Sequence, residues 1–242
     1  GRNMPELQFK SITSDPDWTQ ITVDGPFNLG VMEVQFKTLK NNKPNAYKNY
    51  LAIWEGSGNP WTDKKLRCKA IKCDPDMNKG DWAFTYKLKY QQEYVLGYCV
   101  SNDGMDDSAK SGETRAAGLC ALAHIPEEGN EVTYEHTSME LIQVRSNSLS
   151  VKYNMLPGYD PKSCMNWVGL YAGDVNIYTG EPINAVSVDS SRSSDSVVFN
   201  GVPIERGTRY QLAYYMNGWT EEQDKSKLGK TAVACKLVFE TE

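Results

Sequence analysis

Histidine is scarce in this chain, and this limits the chemistry it could carry. The 242 residues include 2 His, so acid–base catalysis and histidine-rich metal sites have few positions. Cys120 and His124 could form a nucleophilic pair, although a core thiol beside a loop imidazole explains them as well. The sequence contains no Gly-x-Ser-x-Gly, Walker, Gly-x-Gly-x-x-Gly or His-Glu-x-x-His motif. We therefore expect that the protein is not an enzyme.

A cluster of carboxylates is the second candidate for chemistry. Asp103, Asp106 and Asp107 lie in one polar segment, Asn102–Asp107, and Ca²⁺ prefers oxygen ligands of this kind. The spacing does not match an EF-hand, and a solvated acidic hairpin is the alternative. We expect no obligatory cofactor, with calcium at this loop as a hypothesis.

An aromatic loop is the third candidate. Trp219 follows a glycine; the amide of Asn217 precedes it and the carboxylates of Glu221 and Glu222 follow it. A flat apolar face that stacks, beside polar groups that orient, is typical of sugar sites. The alternative is a tryptophan folded over the end of the domain.

A pattern of Asn, aromatic and Thr occurs twice. It appears as Asn59-Pro-Trp61-Thr62 and as Asn176-Ile-Tyr178-Thr179. Two equivalent ligand sites would explain the repetition, and so would a turn with an aromatic plug, since turn-forming Asn and Thr need no ligand.

The elements that position these residues are predicted by an internal repeat. The block that begins Asn49-Tyr-Leu-Ala-Ile aligns with Asn166-Trp-Val-Gly-Leu. Further blocks follow in the same order, Tyr94–Tyr98 with Tyr210–Tyr214 and Gly118–Leu122 with Val233–Leu237, which makes Cys120 equivalent to Cys235. Matched blocks in one order indicate two copies of one domain.

Each copy has the apolar period of half-buried strands. Met32, Val34 and Phe36 alternate with polar residues, and so do the corresponding residues of the second copy, Leu149, Val151 and Tyr153. We predict an all-β chain with an N-terminal segment (1–14), a first sandwich (15–125), an acidic linker (126–137) and a second sandwich (138–242). Residues 1–3 resemble a cloning remnant. The linker has four Glu and no Lys or Arg, so we expect a solvated connector.

The spacing of aromatic residues predicts an immunoglobulin-like sandwich. An aromatic begins a central strand in each copy (Tyr50, Trp167), and a Tyr-x-Leu follows at the place of the tyrosine corner (Tyr94, Tyr210). We expect Tyr50 and Trp167 to be equivalent and buried. Leucine replaces the second cysteine of the usual inter-sheet disulfide in both copies, so we expect buried thiols.

Copy two resembles two known families. The motif Asn166-Trp-Val-Gly-Leu-Tyr171, followed by Gly207-Thr-Arg-Tyr-Gln-Leu-Ala-Tyr214, resembles the SKICH domain of autophagy receptors and inositol phosphatases. It also resembles the immunoglobulin-like N-terminal domain of purple-acid-phosphatase-like enzymes. The resemblance implies the fold, and a module that binds proteins or membranes, or accompanies an enzyme, without catalysis of its own.

Charge and hydropathy exclude several partners. The net charge of −5 disfavours nucleic acid, and no apolar run is long enough to span a bilayer. No signal peptide follows Met4, which favours a cytoplasmic protein over a mature secreted chain.

We therefore predict a binding protein that recognises a protein or cell-surface ligand, as adhesion modules do, through loops of two duplicated domains. A lectin, with or without calcium, is one alternative, and an accessory, toxin or structural component is another. Each of these functions is compatible with a homo-oligomer.

Overall fold

The computed structural model describes residues 5–13, 16–24, 31–61, 67–73, 75–105, 116–127, 131–222 and 224–242. These residues form antiparallel strands and two 3-10 turns, so the predicted all-β fold is confirmed. The chain divides into a first domain, Thr19–His136, and a second domain, Gly1–Trp18 with Thr137–Glu242.

The strands follow one another along the chain in this order: β1 (Phe9–Ile12), β2 (Gln20–Asp24), β3 (Val31–Lys37), β4 (Tyr50–Glu55), β5 (Arg67–Ala70), β6 (Lys79–Thr85), β7 (Tyr94–Cys99), β8 (Leu119–Ile125), β9 (Thr133–His136), β10 (Ser138–Arg145), β11 (Ser148–Asn154), β12 (Trp167–Ala172), β13 (Asn184–Ser187), β14 (Ser194–Asn200), β15 (Arg209–Tyr215) and β16 (Val233–Thr241).

Two sheets form the first domain. A three-stranded sheet has the order β2-β3-β6, and a five-stranded sheet has the order β5-β4-β7-β8-β9. The alternation predicted for β3 is confirmed, because Met32, Val34 and Phe36 are all buried. Phe36 reaches Tyr98 of β7, with 5.8 Å between ring centroids, and this contact lies in the core between the sheets.

The second domain has the same strand order. Its sheets run β10-β11-β14 and β13-β12-β15-β16-β1, so β10 to β16 correspond to β2 to β8, and β1 corresponds to β9. Tyr153 of β11 faces Tyr214 of β15 at 5.6 Å, as Phe36 faces Tyr98. A common strand order is what the sequence repeat predicts, while duplication itself stays a prediction.

The tyrosine corner is present in both domains. Tyr94 Oη accepts a hydrogen bond from the Lys89 N–H at 2.7 Å, and Tyr210 Oη accepts one from the Glu205 N–H at 2.9 Å. Each bond ties the start of a central strand to the preceding turn, as the immunoglobulin-like spacing predicted.

The first aromatic residues of the two central strands occupy equivalent positions, but they are not equally buried. Trp167 pairs with Tyr215, and Tyr50 pairs with the corresponding Cys99. Trp167 is buried, whereas Tyr50 is partly exposed, so the prediction for Tyr50 was wrong. Tyr215 stacks on Trp167 at 3.9 Å, whereas the residue opposite Tyr50 is Cys99, which has no ring.

The predicted equivalence of Cys120 and Cys235 is wrong by one residue. Both last strands contain a bulge, which skips Cys120 in β8 and Ala234 in β16. Tyr214 pairs with Cys235 where Tyr98 pairs with Ala121, so Cys235 corresponds to Ala121. Because these strands are apolar on both faces, their pattern does not fix the register.

The predicted linker and N-terminal segment both contain strands. β9 lies within 126–137 and pairs with β8, and β1 lies within 1–14 and pairs with β16. The prediction of a solvated connector over the whole of 126–137 is therefore wrong, because the backbone of Thr133–His136 is part of a sheet.

Candidate functional site

A buried asparagine positions the loops at one end of the second domain. Asn166 is 1% exposed, and its Nδ2 donates to the Met216 carbonyl and to Tyr159 Oη, each at 2.9 Å. Its Oδ1 accepts from Tyr214 Oη at 2.7 Å. These bonds join the segment before β12 to the segment after β15, so the two loops share a rigid base.

The first domain has the same network. Asn49 Nδ2 donates to the Val100 carbonyl at 3.2 Å, and Tyr98 Oη donates to Asn49 Oδ1 at 2.5 Å. Sequence reasoning missed the role of these two asparagines. The signal was available, because Asn is the first residue of both aligned blocks.

An aromatic layer covers the outer face of the five-stranded sheet in the second domain. Trp167 stacks on Tyr215 at 3.9 Å and 7°, and Tyr215 Oη lies 2.5 Å from Tyr171 Oη. Successive side chains of a strand point to opposite faces, and Tyr214 faces the core, so Tyr215 lies on the outer face. Trp167, which pairs with Tyr215, lies on the same outer face. A Cβ on Gly169 would lie 3.0–3.4 Å from these three rings, which explains the glycine.

The indole of Trp167 also fixes the loop that carries Trp219. Its Nε1 donates to the carbonyls of Asn217 and Gly229, at 3.0 and 3.2 Å. Gly218 and Gly229 come so close that a Cβ on Gly218 would lie 2.5 Å from the Cα of Gly229. The two ends of the loop are therefore held together.

Trp219 is held at its backbone and its ring while part of its surface stays exposed. Its N–H donates to the Met165 carbonyl at 3.1 Å, and its indole Nε1 donates to Glu221 Oε1 at 3.1 Å. Met165 is 49% exposed and has φ 55° and ψ 42°. The segment before β12 and the loop after β15 therefore meet through their main chains at this end of the domain.

The other polar residues predicted for this site are engaged within the loop. Glu222 Oε2 lies 2.9 Å from Lys227 Nζ. The carbonyl of Asn217 accepts from Trp167. The residues predicted together with Trp219 therefore belong to one loop, and the carboxylates of Glu221 and Glu222 bond to other residues of that loop.

The repeated Asn and aromatic residues lie at the opposite end of their sheets. Asn59 Oδ1 accepts from the Trp61 N–H, and Asn176 Oδ1 accepts from the Tyr178 N–H, both at 2.9 Å. Tyr178 is 4% exposed, and Trp61 Nε1 donates to the Ala116 carbonyl at 3.0 Å. This geometry favours the turn-and-plug alternative over two ligand sites.

The calcium hypothesis stays a prediction. Asp103 is exposed and its carbonyl accepts from the Ala117 N–H at 3.2 Å, whereas Asp106 and Asp107 lie outside the described residues. Within the described ranges, no three His, Cys, Asp or Glu side chains are grouped to hold a metal ion.

Cys120 and His124 make separate contacts. Burial raises the pKa of Cys120 to about 12, which is the opposite of what a nucleophilic thiol requires. His124 Nε2 lies 2.6 Å from Glu135 Oε2 on β9. The six cysteines are thiols, four of them buried, with Cys73 and Cys164 partly exposed.

No helix in the part of the chain described above has the length and apolar character to cross a membrane.

Comparisons with known proteins assign no family to this chain. No family model matches the chain. No curated protein matches it. Among solved structures, it is similar to a BSP domain of a biofilm-associated protein (10% identity, TM-score 0.26) over 86% of this chain and 27% of that one.

A second similar structure is trypsin-activated alpha-2-macroglobulin from Escherichia coli (9% identity, TM-score 0.27), over 97% of this chain and 17% of that one. The chain thus spans about a quarter or less of each matched chain. Likeness at this level carries no inference about function, and the resemblance to SKICH and purple-acid-phosphatase-like domains stays a prediction at the family level.

Proposed function

We propose that this protein is a non-enzymatic binding module, and that it recognises a protein ligand through a patch on its second domain. The Met165–Trp219 patch consists of these two side chains and a rim of Glu221, Glu222 and Lys227. The observation that carries the proposal is the bond between the Trp219 N–H and the Met165 carbonyl, which joins the main chains of a partly exposed tryptophan and an exposed methionine.

The residue types at the patch support a protein ligand. Tryptophan and methionine are enriched in the cores of protein interfaces, and charged residues are typical of the rim. Trp219 is fixed at its backbone and at its indole Nε1, so little conformational entropy remains to be lost on binding.

A glycan is the second candidate, and the carboxylates argue against it. Glu221 accepts from the indole and Glu222 is paired with Lys227. These bonds engage one oxygen of each carboxylate, which leaves fewer acceptors to orient a sugar hydroxyl.

The first test is a selection of phage-displayed peptides on the immobilised full chain. Peptides that bind should lose about tenfold or more in affinity with Trp219→Ala, equivalent to about 1.4 kcal/mol, because the variant removes the apolar centre. Thermal stability should change little, since the ring lies in a loop. Tyr90→Ala is the matched control, since Tyr90 is 81% exposed in the first domain.

A glycan array with and without a chelator separates the two candidates. Glycan binding that requires Trp219 would replace the protein ligand by a lectin function. Selected peptides that bind both variants equally would place recognition elsewhere and overturn the proposal. An unfolded Trp219→Ala variant would show that the ring is a structural plug, which also overturns it.

A further inference from the structure

The first domain has two cationic side chains at the open side of its sandwich, where β5 and β6 are the edge strands of the two sheets. Arg67 and Lys69 of β5 lie opposite Ile53 and Leu51 of β4. Leu51 in turn lies opposite Tyr98, whose ring is in the core. Because directly opposed residues of a sheet share a face, both cations are on the face that looks towards the three-stranded sheet.

Trp82 of β6 faces these cations from the other sheet. It lies opposite Val34, which is buried on the core side of β3. Lys69 Nζ lies 5.7 Å from the centroid of the Trp82 ring, so the two edge strands approach each other at this point. We call Arg67, Lys69 and Trp82 the β5–β6 cluster.

The nitrogen donors of the cluster lack an acceptor. Arg67 Nε and Trp82 Nε1 are both shielded from solvent, and neither makes a hydrogen bond. Among the residues that the structure describes, no carboxylate forms an ion pair with Arg67 or Lys69. The three side chains are only partly exposed, so the water that would offset the repulsion between the two cations is partly removed. The cluster therefore has positive charge and N–H groups without a counter-charge.

The second domain shows that this sandwich does not require charge at its open side. The corresponding positions of β13 and β14 are Asn184, Val186 and Val197. Inward-pointing charges can protect an edge strand from pairing with another chain, but β13 is guarded without them, since the Ala185 N–H donates to Asn184 Oδ1 at 2.8 Å. Closing the sandwich and protecting its edge therefore do not by themselves account for the two cations of the first domain.

We propose that the β5–β6 cluster binds a doubly charged oxyanion, and that its ligand is a phosphate monoester. Guanidinium, ammonium and indole groups only donate hydrogen bonds, whereas a phosphate monoester has three acceptor oxygens and a charge of about −1.5 to −2 at neutral pH. Two cations match that charge, and a carboxylate would leave one of them uncompensated. Because the three side chains are only partly exposed, the site favours a phosphate on a free molecule over the headgroups of a flat bilayer. The site is independent of the Met165–Trp219 patch.

Titration of the full chain with sodium phosphate, at an ionic strength held constant with sodium chloride, tests this site. The chain has six tryptophans, and Trp82→Phe identifies the Trp82 indole N–H among them in a nitrogen–proton correlation spectrum. We expect this resonance to shift and to saturate in the millimolar range, and phosphoserine to act in the same way. Acetate should require a concentration about tenfold higher, because it has fewer acceptor oxygens and less charge.

The second domain supplies variants that the fold accommodates. Arg67→Asn and Lys69→Val introduce the side chains that occupy the corresponding positions of β13. Each variant should weaken phosphate binding by about tenfold or more, because each removes charge-assisted hydrogen bonds. Lys152→Val is the matched control, since it removes one cation from an exposed position of β11 and should leave phosphate binding unchanged.

Four results would overturn the proposal. A Trp82 resonance that responds to ionic strength alone would leave edge protection as the role of the cations. Saturation that persists in both Arg67→Asn and Lys69→Val would mean that the anion binds elsewhere. Equal binding of acetate and phosphate would contradict the match of charge. Binding to vesicles that contain phosphatidic acid, without binding of phosphate or phosphoserine, would mean that the ligand is a bilayer surface.

Discussion

The second domain buries phenol groups that are bonded only to one another and to a loop carbonyl. Tyr215 Oη lies against Tyr171 Oη and donates to the Ile177 carbonyl at 2.6 Å. Burial raises the pKa of Tyr171 to about 12 and that of Tyr215 well above its usual value. A phenolate here would lose its hydration, so these rings make the domain sensitive to alkali.

We predict that stability falls above pH 10 and that Tyr171→Phe makes this fall shallower. The folded pKa of Tyr171 lies above the unfolded value near 10, so its contribution is complete below pH 10. That contribution is lost as the pH rises from about 10 to about 12, because the unfolded chain releases the proton first. Urea unfolding at stepped pH measures the slope.

Tyr90→Phe is the control for this pH profile, since it removes the hydroxyl of an exposed ring. Parallel profiles for the wild type and Tyr171→Phe would contradict the assignment.

The candidate site shows what residue types can and cannot predict. The Trp219 loop was predicted from its composition, whereas its bond to the segment before β12 is a finding of the structure. Met165 was missed because its contact with Trp219 is made by main-chain atoms, on which side-chain identity has no bearing. The polar neighbours of Trp219 are engaged with one another, and composition alone does not distinguish such pairs from free ligands.

At the scale of elements, strands with one buried face were predictable and short edge strands were not. β3 and β11 alternate apolar and polar residues, and both pair as internal strands of their three-stranded sheets. β1 and β9 have four residues each and bury few side chains, so their pairing comes from main-chain bonds that leave no apolar pattern.

We predict that Asn166→Ala costs the second domain about 2–4 kcal/mol, because Tyr214 Oη and the Met216 carbonyl lose a buried partner. Asn49→Ala should act in the same direction on the first domain, where Tyr98 and Val100 lose theirs. Urea denaturation of each variant measures the change.

Asn176→Ala is the comparison for these two variants. It removes one turn bond at a partly exposed position, so its cost should stay below about 1 kcal/mol. Equal costs for Asn166→Ala and Asn176→Ala would contradict a central role for the buried asparagine.

At the scale of the whole molecule, the second domain is discontinuous in sequence. It takes Gly1–Trp18 from the start of the chain and the rest from Thr137 onward. The predicted boundaries at 15 and 125 could not reveal this. The repeated sequence blocks do not include β1 or β9, so they do not indicate which domain each of these strands joins.

We predict that Leu7→Ala destabilises the second domain by about 2 kcal/mol or more and leaves the first unchanged. Leu7 lies next to the β1 ladder, so amides of β16 should exchange hydrogen faster while those of β8 keep their protection. Hydrogen–deuterium exchange with peptide resolution measures both strands in one sample.

Ile21→Ala in β2 is the matched variant, since Ile21, like Leu7, is 6% exposed but belongs to the first domain. It should produce the reverse pattern. Faster exchange in β8 on Leu7→Ala would mean that the N-terminal segment completes the first domain instead.

The backbone conformation of Met165 affects both the stability of the second domain and the proposed ligand binding. At φ 55° and ψ 42° a residue with a Cβ is strained by about 1–2 kcal/mol, a cost that glycine avoids. Met165→Gly should therefore raise the free energy of unfolding by about 1 kcal/mol while it weakens ligand binding, whereas Met165→Ala should weaken binding without that gain. Denaturation and peptide titration of the two variants would show whether this position trades stability for recognition; a Met165→Gly chain that binds normally would show that it does not.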